Sequence, residues 1–338
     1  MGNKRVAFIA ASVLAGCILC TEAGADEIGH FAAGLVNIRD YVMPPEPGFY
    51  SSLYTYRYTT DRLNDADGHK VHSVDLGPGP DPKVNLDVDV FVTVPSLLWV
   101  SPWKIAGARY GAYIAPSIAT SSVEAALATE RTRGLNPSES NVGFGDIYVQ
   151  PVWLDWSLQH WDLALGYGFY APTGRYDVDT ISLGNREVRA EDTDNIGLGY
   201  WTHQFQGAVS WYPFDNKGTA VTAALTYEIN GEKQDYDMVP GDRLSLNWGI
   251  SQYLPLDKAQ SILLEIGPAG YSHWQVSDDT GSDAPAADDH DQTHAVGGQI
   301  GLTIVPWNST INFHYFHEFA SEDRFQGDVM GINLALKW

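Results

Sequence analysis

Residues 84–94 read Val-Asn-Leu-Asp-Val-Asp-Val-Phe-Val-Thr-Val, and this stretch decides the fold class. Val84, Leu86, Val88, Val90, Val92 and Val94 alternate with Asn85, Asp87, Asp89, Phe91 and Thr93. A period of two is that of a strand, with one face in an apolar medium and the other against something polar. The final residues repeat the pattern. Met330, Ile332, Leu334, Leu336 and Trp338 alternate with Gly331, Asn333, Ala335 and Lys337, so the last strand is expected to stop on an aromatic with no soluble tail. An all-β chain with lipid on one side of its strands is an antiparallel transmembrane barrel.

The same alternation recurs at 219–229, 242–254 and 309–319, and more noisily at 48–60, 104–119, 145–158, 161–172, 196–212, 260–275 and 294–305. Together these segments predict about twelve strands, in a class whose members differ by even steps. Short connections (213–218, 255–258, 306–308) alternate with long polar, acidic ones (61–83, 121–142, 174–194, 231–241, 277–290), as periplasmic turns alternate with extracellular loops. Trp99, Trp103, Trp153, Trp156, Trp161, Trp211, Trp274, Trp307 and Trp338 fall near strand ends, where a barrel carries its aromatic girdles. A soluble sandwich could also take tryptophans into its core. It would use about half as many strands per domain and would not alternate its turn lengths.

Composition narrows the function. Against 20 Lys and Arg stand 42 Asp and Glu, a net charge of −22, which repels a phosphate backbone and excludes nucleic acid as a partner. Only 18% of residues are charged while 12 Phe, 11 Trp and 18 Tyr are present, the reverse of a disordered composition. Residues 1–25 read as an export signal: Lys4 and Arg5, an apolar run from Val6 to Cys20, then Ala23-Gly24-Ala25. Both cysteines fall inside it. Leu14-Ala15-Gly16-Cys17 also resembles a lipobox, although the apolar run continues past Cys17. Beyond residue 25 no run reaches the ~18 to 20 apolar residues of a membrane helix. The expected location is therefore the outer membrane of a Gram-negative bacterium. Residues 26–48, with Gly29, Gly34 and Pro44-Pro45-Glu46-Pro47-Gly48 but little strand pattern, are either a lumenal plug or a periplasmic lead-in, and 49–338 form the barrel.

The run Gly143-Phe144-Gly145-Asp146-Ile147-Tyr148-Val149-Gln150-Pro151-Val152-Trp153-Leu154-Asp155-Trp156 resembles the central motif of a family of outer-membrane proteins named for the meta-pathway of phenol degradation. Tyr170-Ala171-Pro172-Thr173-Gly174-Arg175-Tyr176-Asp177, Tyr227-Glu228-Ile229-Asn230-Gly231-Glu232, Pro240-Gly241-Asp242 and Arg324-Phe325-Gln326-Gly327 follow in that family's order. Gly29-His30-Phe31 and the Pro-rich run resemble its mature start more loosely. Gly145, Asp146, Gln150, Pro151, Pro172 and Gly174 carry the motif. The resemblance implies a β-barrel that moves hydrophobic or aromatic compounds across the outer membrane.

If the apolar faces meet lipid, the opposite faces line the lumen. The pore-lining candidates are then Asp87, Asp89, Arg109, Glu228, Arg243, Glu265, Gln299, His314, Glu318 and Lys337. Mixed signs at modest count suit small neutral solutes. The same residues could instead satisfy one another in a packed barrel, leaving a closed structural or adhesive protein that acts through its acidic loops. No Gly-x-Ser-x-Gly, Walker loop or His-Glu-x-x-His occurs, so no catalytic residue and no cofactor is assigned; His203 with Ser210 and His273 with Ser277 come without a motif. Asp288-Asp289-His290-Asp291 with His294, and Asn64-Asp65-Ala66-Asp67-Gly68, lack a convincing further carboxylate for calcium and read as solvated loops, so no metal is assigned. The expected partners are small hydrophobic or aromatic solutes, outer-membrane lipid, and the barrel-assembly machinery through the strand ending in Trp338.

Overall fold

A computed structural model describes residues 29–73, 83–128, 138–183, 186–192, 195–284 and 290–338. The export signal, both cysteines, residues 26–28, Asp288 and Asp289 lie outside the described residues. The strands are β1 (Gly48–Thr60), β2 (Lys83–Ile105), β3 (Ala108–Ala115), β4 (Ile118–Ala128), β5 (Ser138–Phe144), β6 (Ile147–Ser157), β7 (Trp161–Ala171) and β8 (Val178–Leu183). They continue with β9 (Arg186–Glu191), β10 (Thr202–Trp211), β11 (Thr219–Asn230), β12 (Arg243–Pro255), β13 (Ile262–Gln275), β14 (Gln292–Ile304), β15 (Ser309–Glu322) and β16 (Asp328–Lys337).

Twelve of these close an antiparallel barrel in the order β1-β2-β3-β6-β7-β10-β11-β12-β13-β14-β15-β16, with β1 paired to both β2 and β16. Closure leaves no unpaired edge in a medium that offers no hydrogen bonds. The twelve correspond one to one with the segments marked by alternation. The long connections hold two further hairpins. β4 and β5 extend the wall beyond β3 and β6, with β4 pairing to the first half of β2, while β8 and β9, among the described residues, pair only with each other. Residues 121–142 lack an apolar alternation, so this hairpin had no signature in the sequence.

β11 shows the design of the wall most simply. Its residues alternate strictly, with Ala220, Thr222, Ala224, Thr226, Glu228 and Asn230 buried inward and Val221, Leu225 and Ile229 exposed outward. The outer residues form the apolar belt of a membrane barrel, and Trp103, Trp161, Trp211, Trp307 and Trp338 are exposed near the end that carries the short turns. Trp153 departs from the expected girdle: it is buried on the inner face of β6 and packs with Met43 and Leu98.

β2 reverses the expected facing. Val88 and Val94 are buried, and Val90, Val92 and Val94 line the interior, whereas Phe91 is exposed and Asp89 pairs on the outside with Arg57 (Nη2–Oδ2 2.6 Å). The reason is length. Its 23 residues span about 75 Å at about 3.3 Å per residue, far more than the ~25 Å apolar band. Residues 83–93 therefore project past the bilayer, where the outer face meets water and can carry Asp87 and Asp89.

Candidate functional site

A chain that enters a barrel without joining its sheet must find partners for its own backbone. Residues 29–47 run through the interior and find them on inward side chains of the wall. The N–H of Phe31 donates to Glu228 (2.9 Å), that of Gly34 to Asn247 (3.0 Å), that of Ile38 to Gln299 (3.1 Å) and that of Met43 to Asp155 (3.1 Å). Asn333 donates to the Leu35 carbonyl (3.0 Å). The Arg39 guanidinium binds Ser251 Oγ (2.8 Å) and the Gly218 carbonyl (2.8 Å) and lies 3.4 Å from Glu265. At the short-turn end, Arg109 donates to the Pro44 carbonyl (3.0 Å) and pairs with Asp155, and Lys337 pairs with Glu46. Gly34 sits at φ +83 against the Tyr271 ring, a position closed to a β-carbon by both conformation and space.

At the long-loop end the segment is tied by Asp146, which lies between β5 and β6. One carboxylate oxygen accepts the Gly174 N–H (2.9 Å), and the other accepts the Leu198 N–H (2.8 Å) and the His30 ring Nε2 (2.9 Å). His30 also bonds Thr202 (2.8 Å) and stacks on Tyr170 at 4.7 Å. Burial pushes the Asp146 carboxyl up, but the bonds from His30 and the two backbone N–H groups outweigh it and hold it below the usual carboxylate range. The glycines make this approach feasible: a β-carbon at Gly174 would lie 2.6 Å from Gly197 Cα. Gln150 and Pro151 lie beneath, on β6, and Pro172 ends β7.

The opposite wall is different in kind. Between the segment and strands β1, β2, β3, β6 and β7 lies a cavity of about 480 Å³, walled by Tyr54, Tyr113, Tyr148, Tyr170, Val92 and Trp153 among others. Asp40, on the segment, faces it and accepts bonds from Asn37 (2.9 Å) and Tyr54 (3.2 Å). Arg243 and Arg324 converge on Asp291 (2.5 and 2.9 Å) between the cavity and the long loops.

Of the ten pore-lining candidates, Arg109, Glu228, Arg243, Glu265, Gln299, His314, Glu318 and Lys337 lie on the inner side. Glu228 and Gln299 hold the segment's backbone, as Arg109 does; Glu265 faces Arg39; Lys337 is at the short-turn mouth; His314 is buried beside Phe316. Glu318 accepts the hydroxyls of Tyr58 (2.8 Å) and Tyr271 (2.9 Å). Asp87 and Asp89 are the exceptions, being on the outer face of β2. Asn247, Asp155 and Asn333 were missed, although each is a polar residue at an inward position of an alternating strand. Asp291, within one metal candidate, is taken by two guanidiniums, His290 bonds Asp278 and His294 bonds Ser272. His203, one of the histidines weighed for catalysis, is met by the Tyr167 hydroxyl (3.0 Å), and His273 by Ser245 (2.6 Å) and Arg243.

A closed twelve-stranded barrel with an apolar belt outside and a chain segment beside a cavity inside is an outer-membrane β-barrel. Residues 60–334 match the family described as "Putative MetA-pathway of phenol degradation", and the chain belongs to that family. It is similar to the crystal structure of an outer membrane channel from Pseudomonas putida F1 at 17% identity and a TM-score of 0.58, over 90% of this chain and 100% of that one. The Bordetella autotransporter BrkA β domain matches at 8% identity and TM-score 0.45 over 87% of this chain and 100% of that one. A Pseudomonas aeruginosa FadL homologue matches at 9% and 0.34 over 86% and 90%. Among curated proteins no sequence matches.

Proposed function

We propose that this barrel is a channel for passive uptake of small hydrophobic, aromatic compounds, in which residues 29–47 act as a plug that confines the route to the tyrosine-lined side. One observation carries the reading: the segment spends backbone hydrogen bonds on polar side chains of the wall, leaving beside it a cavity of about 480 Å³ lined by tyrosine, valine and tryptophan on one side, with Gln204, Glu318 and Arg324 among the polar side chains that also reach it. That volume exceeds the roughly 150 Å³ that holds a benzene ring. Apolar and aromatic walls with polar groups set among them are what small-molecule sites use. The family's description, which names phenol degradation, agrees with aromatic cargo.

A second reading is a closed surface protein acting through its acidic loops. It is favoured by the paired charges that pack one part of the interior, Asp291 with Arg243 and Arg324. Two measurements on the refolded protein separate them. Proteoliposomes should admit toluate-sized aromatics faster than sugars of similar mass, and deleting residues 27–46 should raise single-channel conductance in planar bilayers. No permeation by either solute from a folded, heat-modifiable barrel would favour the closed reading. Unchanged conductance on deletion would remove the plug.

A further inference from the structure

A single turn in the interior segment sends two neighbouring charges to opposite walls. Ile38–Tyr41 form a 3-10 turn, in which successive side chains point about 120° apart. Arg39 reaches Ser251, the Gly218 carbonyl and Glu265 (3.4 Å) and lies over the Tyr253 ring at 4.0 Å. Asp40 instead reaches back to Asn37 and across to Tyr54 on β1. Glu265 thus offsets Arg39, and among the described residues no Lys or Arg pairs with Asp40. Both bonds to the Asp40 carboxylate fall on Oδ2, from neutral donors at 2.9 and 3.2 Å, and none of the described residues donates to Oδ1. That oxygen is not enclosed, for Asp40 is half-buried and lines the cavity.

The carboxylate stands at the edge of an aromatic cluster. Tyr54, whose hydroxyl it accepts, packs with Val94, Ala115 and Tyr148, and Tyr113 and Tyr170 pack against them. The Tyr148 ring lies 4.6 Å from that of Tyr170 and 6.1 Å from that of Tyr113. A carboxylate withdrawn from water without a counter-charge is costly, and the face of a tyrosine ring attracts a cation. Calcium and magnesium need six or so oxygen ligands, whereas this wall offers ring faces and aliphatic side chains. The chain as a whole favours the same sign of solute: 42 acidic against 20 basic residues, many of the acidic ones in the long connections, concentrate cations at the mouth.

We infer that Asp40, with the tyrosine cluster beside it, forms a subsite for small organic amines in their ammonium form, an inference that rests on the cavity being the solute route. An ammonium needs only one oxygen to dock: its N–H groups donate to Oδ1, its charge answers the carboxylate, and its hydrocarbon part packs among the rings. A neutral alcohol can donate one hydrogen bond but brings no counter-charge. A carboxylate solute is repelled.

The test is equilibrium binding of benzylamine, benzyl alcohol and benzoate at pH 7 to the full-length refolded barrel in an uncharged detergent, with empty micelles subtracted. Benzylamine should bind about tenfold or more tightly than benzyl alcohol, the factor expected of one charge-assisted bond, and benzoate more weakly than either. Asp40→Asn should bring benzylamine down to the level of benzyl alcohol and leave benzyl alcohol unchanged, which also shows that the cavity is intact. A second measurement needs no variant and decides the matter if Asp40→Asn does not fold. The preference of the wild type should survive about 1 M salt, which screens exposed loop charges beyond about 3 Å but a desolvated pair much less. Equal affinity for the amine and the alcohol, a preference that salt abolishes, or one that Asp40→Asn retains would overturn the subsite while leaving the cavity as a ring-binding route. If none of the three binds the heat-modifiable wild-type barrel, the cavity reading falls and the subsite with it.

Discussion

Replacing Asp146 by alanine should free the long-loop end of the interior segment while leaving the barrel closed. The carboxylate holds three donors at 2.8–2.9 Å, from His30, Gly174 and Leu198. Charge-assisted bonds contribute about 1.5–3 kcal/mol each, and the lower figure applies because the freed groups regain water at the rim, so the loss comes to about 4–5 kcal/mol. At about 1.4 kcal/mol per factor of ten, local opening becomes roughly a thousandfold more frequent. Hydrogen exchange resolved by residue would read this directly. The amides of Gly174 and Leu198 should lose about a thousandfold protection, those of Phe31 and Gly34 should follow because His30 no longer pins their end, and amides in β12–β15 should be unaffected. His30→Ala supplies the contrast, loosening Phe31 and Gly34 but leaving Gly174 and Leu198 protected. Unchanged protection at 174 and 198 in D146A would refute the hub. A uniform loss across all strands would show instead that Asp146 is required for the barrel as a whole.

Asp146 gives a pH dependence of definite sign: the bonds from His30, Gly174 and Leu198 hold its carboxyl below the usual carboxylate range, so the tie is fully present above the pKa of a freed carboxyl and is lost as pH falls through the lowered one. Exchange of the Gly174 and Leu198 amides, corrected for intrinsic rate, should quicken on acidification in the wild type but not in Asp146→Asn; the same profile in both would count against it. Asp89→Ala, by contrast, removes an exposed pair with Arg57 on the outer face of β2. It should change stability by no more than about 0.5 kcal/mol and leave solute selectivity untouched, whereas a change in selectivity in the swelling assay would place Asp89 in the pore after all.

The strands were legible because each membrane-crossing residue faces either lipid or interior, and that choice writes a period of two into β11, β12, β15 and β16. It failed to give the facing of β2, where the strand outruns the bilayer and the medium outside is water, so the valines point inward and the aspartates outward. Trp153 misled for a related reason: an aromatic near a strand end suits a girdle, but an apolar cavity accepts it equally well. The motif around Gly145 and Asp146 was visible as residues yet not as a device, because its partners stand far apart in sequence, at His30, Gly174 and Leu198. The course of residues 29–47 was undecidable for the same reason. The wall side chains that receive the backbone N–H bonds of Phe31, Gly34, Ile38 and Met43 all lie more than a hundred positions away.

Those distant contacts define how an interior segment and an open path can share one small barrel. A segment bonded all round would seal the lumen, since each inward polar side chain that reaches it also closes space. Here the backbone donors of Phe31, Gly34 and Ile38 go to β11, β12 and β14 on one side, and the segment crosses to the other side only at the short-turn end, where Met43 donates to Asp155 on β6 and Arg109 on β3 donates to Pro44. The facing strands, β1, β2, β3, β6 and β7, present mainly valine, tyrosine and tryptophan, which incur little cost when nothing touches them except the loss of dispersion contacts. The closed ring of backbone hydrogen bonds keeps that wall from collapsing onto the segment. Polar residues on one arc and aromatic ones on the other therefore fix the segment and spare the cavity together. Exchanging them, for example by placing an acceptor at Val92 opposite the segment, would give a released segment a second wall to bind and should narrow the route without any change in the barrel.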